Sequence, residues 1–151
     1  RPADRAAVDA AISRVGIDHL RGRDARELSL GERQLVLVAL AVAQAAPLLV
    51  LDEPTAHLDL RHQVAVMELL ADLNARDGTT IIAVLHDLTL ARHFFPRLVV
   101  LDGGQVVADG PPSAVLTAER VRVVFGVDVA LTIQDRRRHS PVPRRSGSSR
   151  S

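Results

Sequence analysis

Leu48-Leu49-Val50-Leu51-Asp52-Glu53-Pro54-Thr55 is the stretch on which the fold turns. Four consecutive apolar residues closed by two carboxylates and a proline read as a short strand covered on both faces. Asp59 then stands where a helix N-cap belongs, opening a helix over 60–75 with Leu60, Val64, Met67 and Ala71 on one stripe. Asp77-Gly78 is a turn, and Thr79 to Leu85 is a second apolar, β-branched strand. Strand, helix, strand makes a βαβ unit, whose strands run parallel through a right-handed crossover. Both strands therefore finish at one edge of the sheet, the edge at which open α/β sheets bind ligands. Asp52-Glu53 stands at the end of the first strand and His86-Asp87 at the end of the second. Topology alone thus brings an acidic pair and a distant histidine together.

Working outward, residues 3–15 have the spacing of an amphipathic helix through Val8, Ala11, Ile12 and Val15, with Gly16 at its C-terminus. Residues 17–28 are polar and connecting. Ser29 caps a second helix running to about Ala46, with Glu32 in the capping-box position. That helix is apolar nearly all round, which predicts burial, and Pro47 ends it. Downstream, a short helix near 88–94 stops before Pro96. Leu98 to Leu101 and Gln105 to Ala108 flank Asp102-Gly103-Gly104 as a hairpin. Short helices follow Pro111-Pro112 to about Phe125, and Val127 to Ile133 reads as a last strand. No internal repeat is present. The domain reading is 1–46, 47–134 and an Arg/Ser/Pro-rich disordered tail over 135–151.

Composition narrows the chemistry. The 151 residues include nineteen arginines and neither lysine nor cysteine. There is accordingly no complete G-x-x-x-x-G-K-[ST] phosphate loop, no Schiff-base lysine, no thiol nucleophile and no cysteine metal site. The absence of disulfides fits a reducing compartment. A chain of this length suits one domain and buries roughly 68–70% of its unfolded surface. With Phe94, Phe95 and Phe125 as its only aromatics, the core is aliphatic. Residues 1–135 carry 13 arginines against 18 acids, a net of −5, so the +1 overall comes from the tail and a nucleic-acid footprint is not supported. No signal peptide opens the chain. Residues 35–51 are apolar apart from Gln44, but Pro47 and the acids at 52–53 argue against a membrane span.

An apolar strand ending in Asp-Glu has the form of a Walker B element. Asp52 suits magnesium, because hard cations take carboxylate oxygens. Glu53 can orient or deprotonate an attacking water, and His86 can hydrogen-bond a terminal phosphate. Leu28-Ser29-Leu30-Gly31-Glu32-Arg33-Gln34 places a serine and a glycine at a helix N-terminus, where N–H groups and the helix dipole favour an anion. An ordinary N-cap with a capping box accounts for the same residues. The spacing of His57, Asp59 and His62 matches no H-E-x-x-H zinc pattern.

Taken together, these elements resemble the C-terminal part of an ABC-transporter ATPase. Leu28 to Gln34 is similar to the signature motif, Leu48 to Thr55 to Walker B, Ala56-His57-Leu58-Asp59 to the D-loop, and His86 to the H-loop histidine. The runs DEPTAHLDLRHQ, VLHDLTLA, VVADGPP and VFGVDV look most like importers of iron–siderophore, haem or cobalamin. The resemblance covers residues 1 to about 133. It implies an α/β fold, a partial P-loop NTPase core with parallel strands and crossover helices, preceded by the end of the helical signature subdomain. It implies ATP and Mg2+ as cofactors, with Asp52 supporting the metal, Glu53 and His86 catalytic, and Asp59 coupling two sites. Ser29, Gly31 and Glu32 would contact a nucleotide held by a second ATPase subunit. The implied partners are that subunit (a homodimer), transmembrane permease subunits and, indirectly, a substrate-binding protein, at the cytoplasmic face of the inner membrane, with no nucleic acid.

The sequence departs from the family twice. The phosphate loop, the adenine-stacking aromatic and the glutamine loop, which precede these motifs in the family, are missing, which suggests a fragment. Leu30 stands where the signature usually has its first glycine. Three readings stay open: an ATP-hydrolysing importer subunit present in part, a catalytically inactive pairing module, and a soluble ABC ATPase that does not transport.

Overall fold

The computed structural model describes residues 2–126, with side chains from Asp4 onward. Its helices are α1 Pro2–Val15, α2 Leu30–Ala43, α3 Leu60–Asp77, α4 Leu88–Phe94, α5 Pro112–Val115 and α6 Ala118–Phe125. Its strands are β1 Leu48–Asp52, β2 Thr80–Val84, β3 Leu98–Asp102 and β4 Gln105–Gly110. One compact unit runs to Leu116 and a second begins at Thr117. The last strand expected over Val127–Ile133 and the tail beyond Gln134 lie outside the described residues.

In the first unit, β1 and β2 pair in parallel, Leu48 opposite Thr80 through Asp52 opposite Val84. The expected βαβ unit is therefore present, with α3 as its crossover. β3 and β4 form the expected antiparallel hairpin, with a bulge between Val100 and Leu101. Arg97 grips Asp109 with two bonds of 2.8 and 2.7 Å beside the hairpin's open end. The core joins Ile17, Leu20 and Leu28 to Leu35, Val38 and Ala39 of α2, Leu49 and Leu51 of β1, and Val66, Met67, Leu70 and Leu73 of α3. Gly16 and Gly78 take the left-handed conformation that ends α1 and α3. In the second unit, Thr117 caps α6 through the Arg120 amide and Gly126 closes it.

Three expectations are corrected. β1 is covered on one face only. Leu49 and Leu51 are buried, whereas Leu48 and Val50 (68% exposed) face outward with Ile82 and Val84 of β2. A continuous apolar run thus alternates in burial, because among the described residues no layer covers the second face. α2 is also not buried all round: Leu37 (57% exposed) and Leu40 face solvent. It ends at Ala43 rather than Ala46, since Ala45 turns left-handed ahead of Pro47. Finally, α3 turns inward the stripe of Val66, Met67, Leu70 and Leu73, sharing only Met67 with the expected one. Leu60 is 71% exposed and Ala71 is also exposed. The inward face is rotated by about a quarter turn because burial rewards apolar area, and two leucines and a valine outweigh a stripe containing alanine. Among the described residues no helix is long and apolar enough to cross a membrane.

Among the ionisable groups in the helix caps, Glu32 and Asp59 are shifted by their cap bonds. Glu32 is held below the usual carboxylate range, first by the Ser29 backbone N–H and then by the Ser29 side chain. The Asp59 carboxylate is held down in the same way by the His62 backbone N–H and ring.

Met67→Ala should cost about 2–5 kcal/mol in denaturant unfolding, whereas Leu60→Ala should stay within about 0.5 kcal/mol. Comparable losses at both positions would restore the stripe expected from sequence. Because the folded forms of Glu32 and Asp59 hold their protons less tightly than the unfolded chain, the stability they supply is present above the carboxylate range. It is lost as pH falls through their lowered values. Glu32→Gln should therefore give a shallower acid limb in a plot of melting temperature against pH, and an unchanged limb would remove this cap as a source of acid sensitivity.

Candidate functional site

The site begins where β1 stops. Asp52 is the last strand residue, opposite Val84, and alternation puts it on the open face with Leu48 and Val50. The next position in register would point inward with Leu49 and Leu51, into the core. Glu53 avoids this by turning left-handed, with φ 46°. Such a backbone costs about 1–3 kcal/mol in a residue with a side chain and persists only when its surroundings hold it. The holding bonds are present. Glu53 N donates to Val84 O at 3.1 Å, and Ala56 N donates to Glu53 O at 3.0 Å. Gln34 Nε2 of α2 donates to the same Glu53 O at 3.0 Å. Pro54 and Thr55 follow as buried residues.

This reversal delivers the side chain. Glu53 Oε1 lies 2.7 Å from His86 Nε2, across 33 residues of sequence. His86 sits between the end of β2 and Asp87, whose carboxylate caps α4 by accepting the Thr89 and Leu90 N–H groups at 2.7 and 3.0 Å. The pair is open to water, His86 at 74% and Glu53 at 47% exposure. A carboxylate on an imidazole at this distance orients the ring and leaves its second oxygen available to a water molecule. The convergence expected from topology is therefore met at hydrogen-bond distance, and Asp52 stands beside it.

The second group lies at the start of α2. Ser29 N donates to Glu32 Oε2 at 2.8 Å and Glu32 N donates to Ser29 Oγ at 3.2 Å, a complete capping box. Glu32 Oε1 also accepts from Arg23 Nη1 at 3.0 Å, so both of its oxygens are engaged within the chain. Arg33 ties down the preceding loop through Leu28 O and Arg26 O. Leu30 is 62% exposed, so its bulk meets whatever approaches this helix end rather than the core. The Ser29 hydroxyl and the first-turn N–H groups, which have no carbonyl partner within a helix, remain suited to an anion.

Gly31 joins the two groups. A Cβ there would stand 3.1 Å from His57 O and 3.5 Å from Leu58 Cδ2. The N-terminus of α2 therefore packs directly on the turn that follows Glu53, in which His57 is also left-handed at φ 61°. That turn ends at Asp59, which caps α3 through the His62 N–H at 2.9 Å and pairs with the His62 ring at 2.8 Å. Sequence reasoning did not single out Gln34. Its signal was available: a polar residue entering an otherwise apolar helix just past the first turn.

Alanine is the better helix former by about 1 kcal/mol, yet Gly31→Ala should destabilise by roughly 0.5–2 kcal/mol, because the added methyl crowds a backbone carbonyl. A stabilised variant in thermal unfolding would show that the turn yields.

A family model described as "AAA domain, putative AbiEii toxin, Type IV TA system" matches residues 4–92. The chain is 45% identical over 128 residues to a cobalamin import ATP-binding protein of Halobacterium salinarum, covering 85% of this chain and 32% of that protein. It is 51% identical to a hemin import ATP-binding protein of Rhodopseudomonas palustris, over 83% of this chain and 48% of the relative. It is 40% identical to a ferric enterobactin transport ATP-binding protein of Escherichia coli, over 84% and 47%. The chain thus spans a third to a half of the length of the curated relatives it matches. Among solved structures, a transporter assigned to the metal-chelate ABC type, in an inward-facing conformation, matches with a TM-score of 0.73 at 30% identity, over 82% of this chain and 49% of that one. A dimeric ATP-binding cassette bound to ADP and Pi matches with a TM-score of 0.67 at 30% identity, over 72% and 47%. The chain belongs to the AAA-domain family of that model, and the motifs, the parallel strand pair with its shared edge and these likenesses agree in making it similar to part of the ATP-binding subunits of ABC importers.

Proposed function

We propose that this chain is the signature and Walker B portion of an ATP-hydrolysing subunit that powers import of an iron chelate, haem or cobalamin. The observation that carries this reading is the Glu53–His86 pair at 2.7 Å on the shared edge of the two parallel strands. The names of the curated relatives support the cargo class. Residues 1–46 are read as the end of the helical subdomain, 47–134 as the C-terminal part of the ATPase core, and 135–151 as a tail.

The residues fit the implied groups by their chemistry. Asp52 ends its strand as an exposed carboxylate, the donor type a hard cation such as Mg2+ takes. When bound, the metal would neutralise charge on the phosphates. Glu53 takes the proton of the attacking water through its second oxygen, and His86 orients that carboxylate through Nε2 and turns its N–H to the terminal phosphate when it leaves Glu53. Ser29 and Gly31 offer a hydroxyl and backbone N–H groups to a nucleotide held by a second subunit, an arrangement in keeping with the dimeric cassette structure. Glu32 serves this surface through its cap on Ser29 rather than as a phosphate ligand, since a carboxylate facing a phosphate is repelled. Asp59 sets the turn that lies between the two groups. Permease subunits and the cytoplasmic face of the membrane complete the assembly.

Because the chain has no lysine, it holds no phosphate-loop cradle of its own. We expect purified chain alone to show no ATP turnover above background, and turnover abolished by Glu53→Gln would refute this. A cassette that joins this chain to a phosphate-loop half should lose activity with His86→Ala, and unaffected turnover there would count against the assignment. The second reading, a pairing module without catalysis, is favoured by the missing lysine alone. It predicts no loss with either substitution.

A further inference from the structure

Gln34 is a group whose bond the proposed mechanism does not use. Among the described residues its amide is the one side-chain donor to the Glu53 backbone, the other two backbone bonds joining Glu53 to the paired strand and to the turn itself. The acceptor is the carbonyl of the left-handed residue, so the bond acts on the peptide that departs from strand geometry. The reach is fixed independently. Leu35 and Val38 anchor α2 in the core, and Gly31 seats the helix start against His57 O. Were Glu53 to relax toward an extended backbone, its carboxylate would swing toward the inward face of β1 and away from His86.

We propose that Gln34 is a positioning residue: by donating to Glu53 O it holds the left-handed turn that aims the Glu53 carboxylate at His86, and so ties the signature helix to the hydrolytic carboxylate within one subunit. The catalytic consequence rests on the reading above, while the geometric claim stands without it. On that reading Ser29 and Gly31 face one nucleotide and Glu53 another, so movement at one is felt at the other through the Gln34 bond as well as the Gly31 contact.

The test uses the full chain, with no nucleotide present. Nuclear Overhauser contacts between the His86 ring and the Glu53 side chain report the pair, and the Glu53 backbone shifts report its positive φ. Gln34→Ala and the near-isosteric Gln34→Glu both remove the donor. Each should lose most of the His86–Glu53 contact intensity and move the Glu53 backbone shifts, while the remaining amide spectrum is retained. Gln34→Lys keeps a donor at similar length and should restore the contact, and it remains informative if the alanine variant fails to fold. A role in packing alone would lower thermal stability in all three variants and leave the contact in place. Persistence of the contact in the Ala and Glu variants, or its loss in the Lys variant as well, would overturn the proposal. Loss of the contact in the chain, beside turnover of the joined cassette that is insensitive to Glu53→Gln, would instead fault the hydrolytic reading and leave the positioning claim standing.

Discussion

Glu53 is the residue on which the site depends. A strand side chain in its register would be driven into the core, where an ionised carboxylate without a partner is costly. The chain resolves this by reversing the backbone at that residue. Three hydrogen bonds, from the neighbouring strand, the turn and α2, hold the reversal. The buried Pro54 and Thr55, the left-handed His57 and the Asp59 cap of α3 follow it along the turn.

The same reversal explains why two motifs far apart in sequence act as one body. α2 lies end-on against the turn, and a glycine suits the contact because a Cβ would stand 3.1 Å from a carbonyl. The capping box closes the start of α2 by engaging the Ser29 and Glu32 N–H groups. The turn thus lies between the capped start of α2 and a carboxylate–imidazole pair. Arginine is its only strongly basic side chain, so on the proposed reading the chain carries groups suited to water and a terminal phosphate and lacks the lysine of a phosphate loop.

Much of this was legible beforehand. The βαβ unit, the hairpin, the caps at Ser29 and Asp59, and the convergence of Glu53 with His86 all follow from local pattern and the topology of parallel strands. Other features were not. Leu48-Leu49-Val50-Leu51 has the composition of a strand covered twice, but coverage belongs to neighbouring layers and not to the strand. The stripe of α3 was misplaced because counting apolar positions treats Ala71 as equal to Leu70. α2 was expected to be buried because its composition is apolar, yet Leu37 and Leu40 lie on a face that no other described element covers.

The sequence by itself determined which elements form, where most of them stop and which chemical groups reach the sheet edge. Those outcomes rest on short-range forces: caps, turn residues, proline and the fixed hand of a crossover. Only the tertiary structure decided that Glu53 is left-handed, that Gln34 donates to its carbonyl, and that Gly31 closely meets the carbonyl of His57. Those depend on where α2 lies relative to β1, a long-range placement set by the summed burial of the core, which no local pattern encodes.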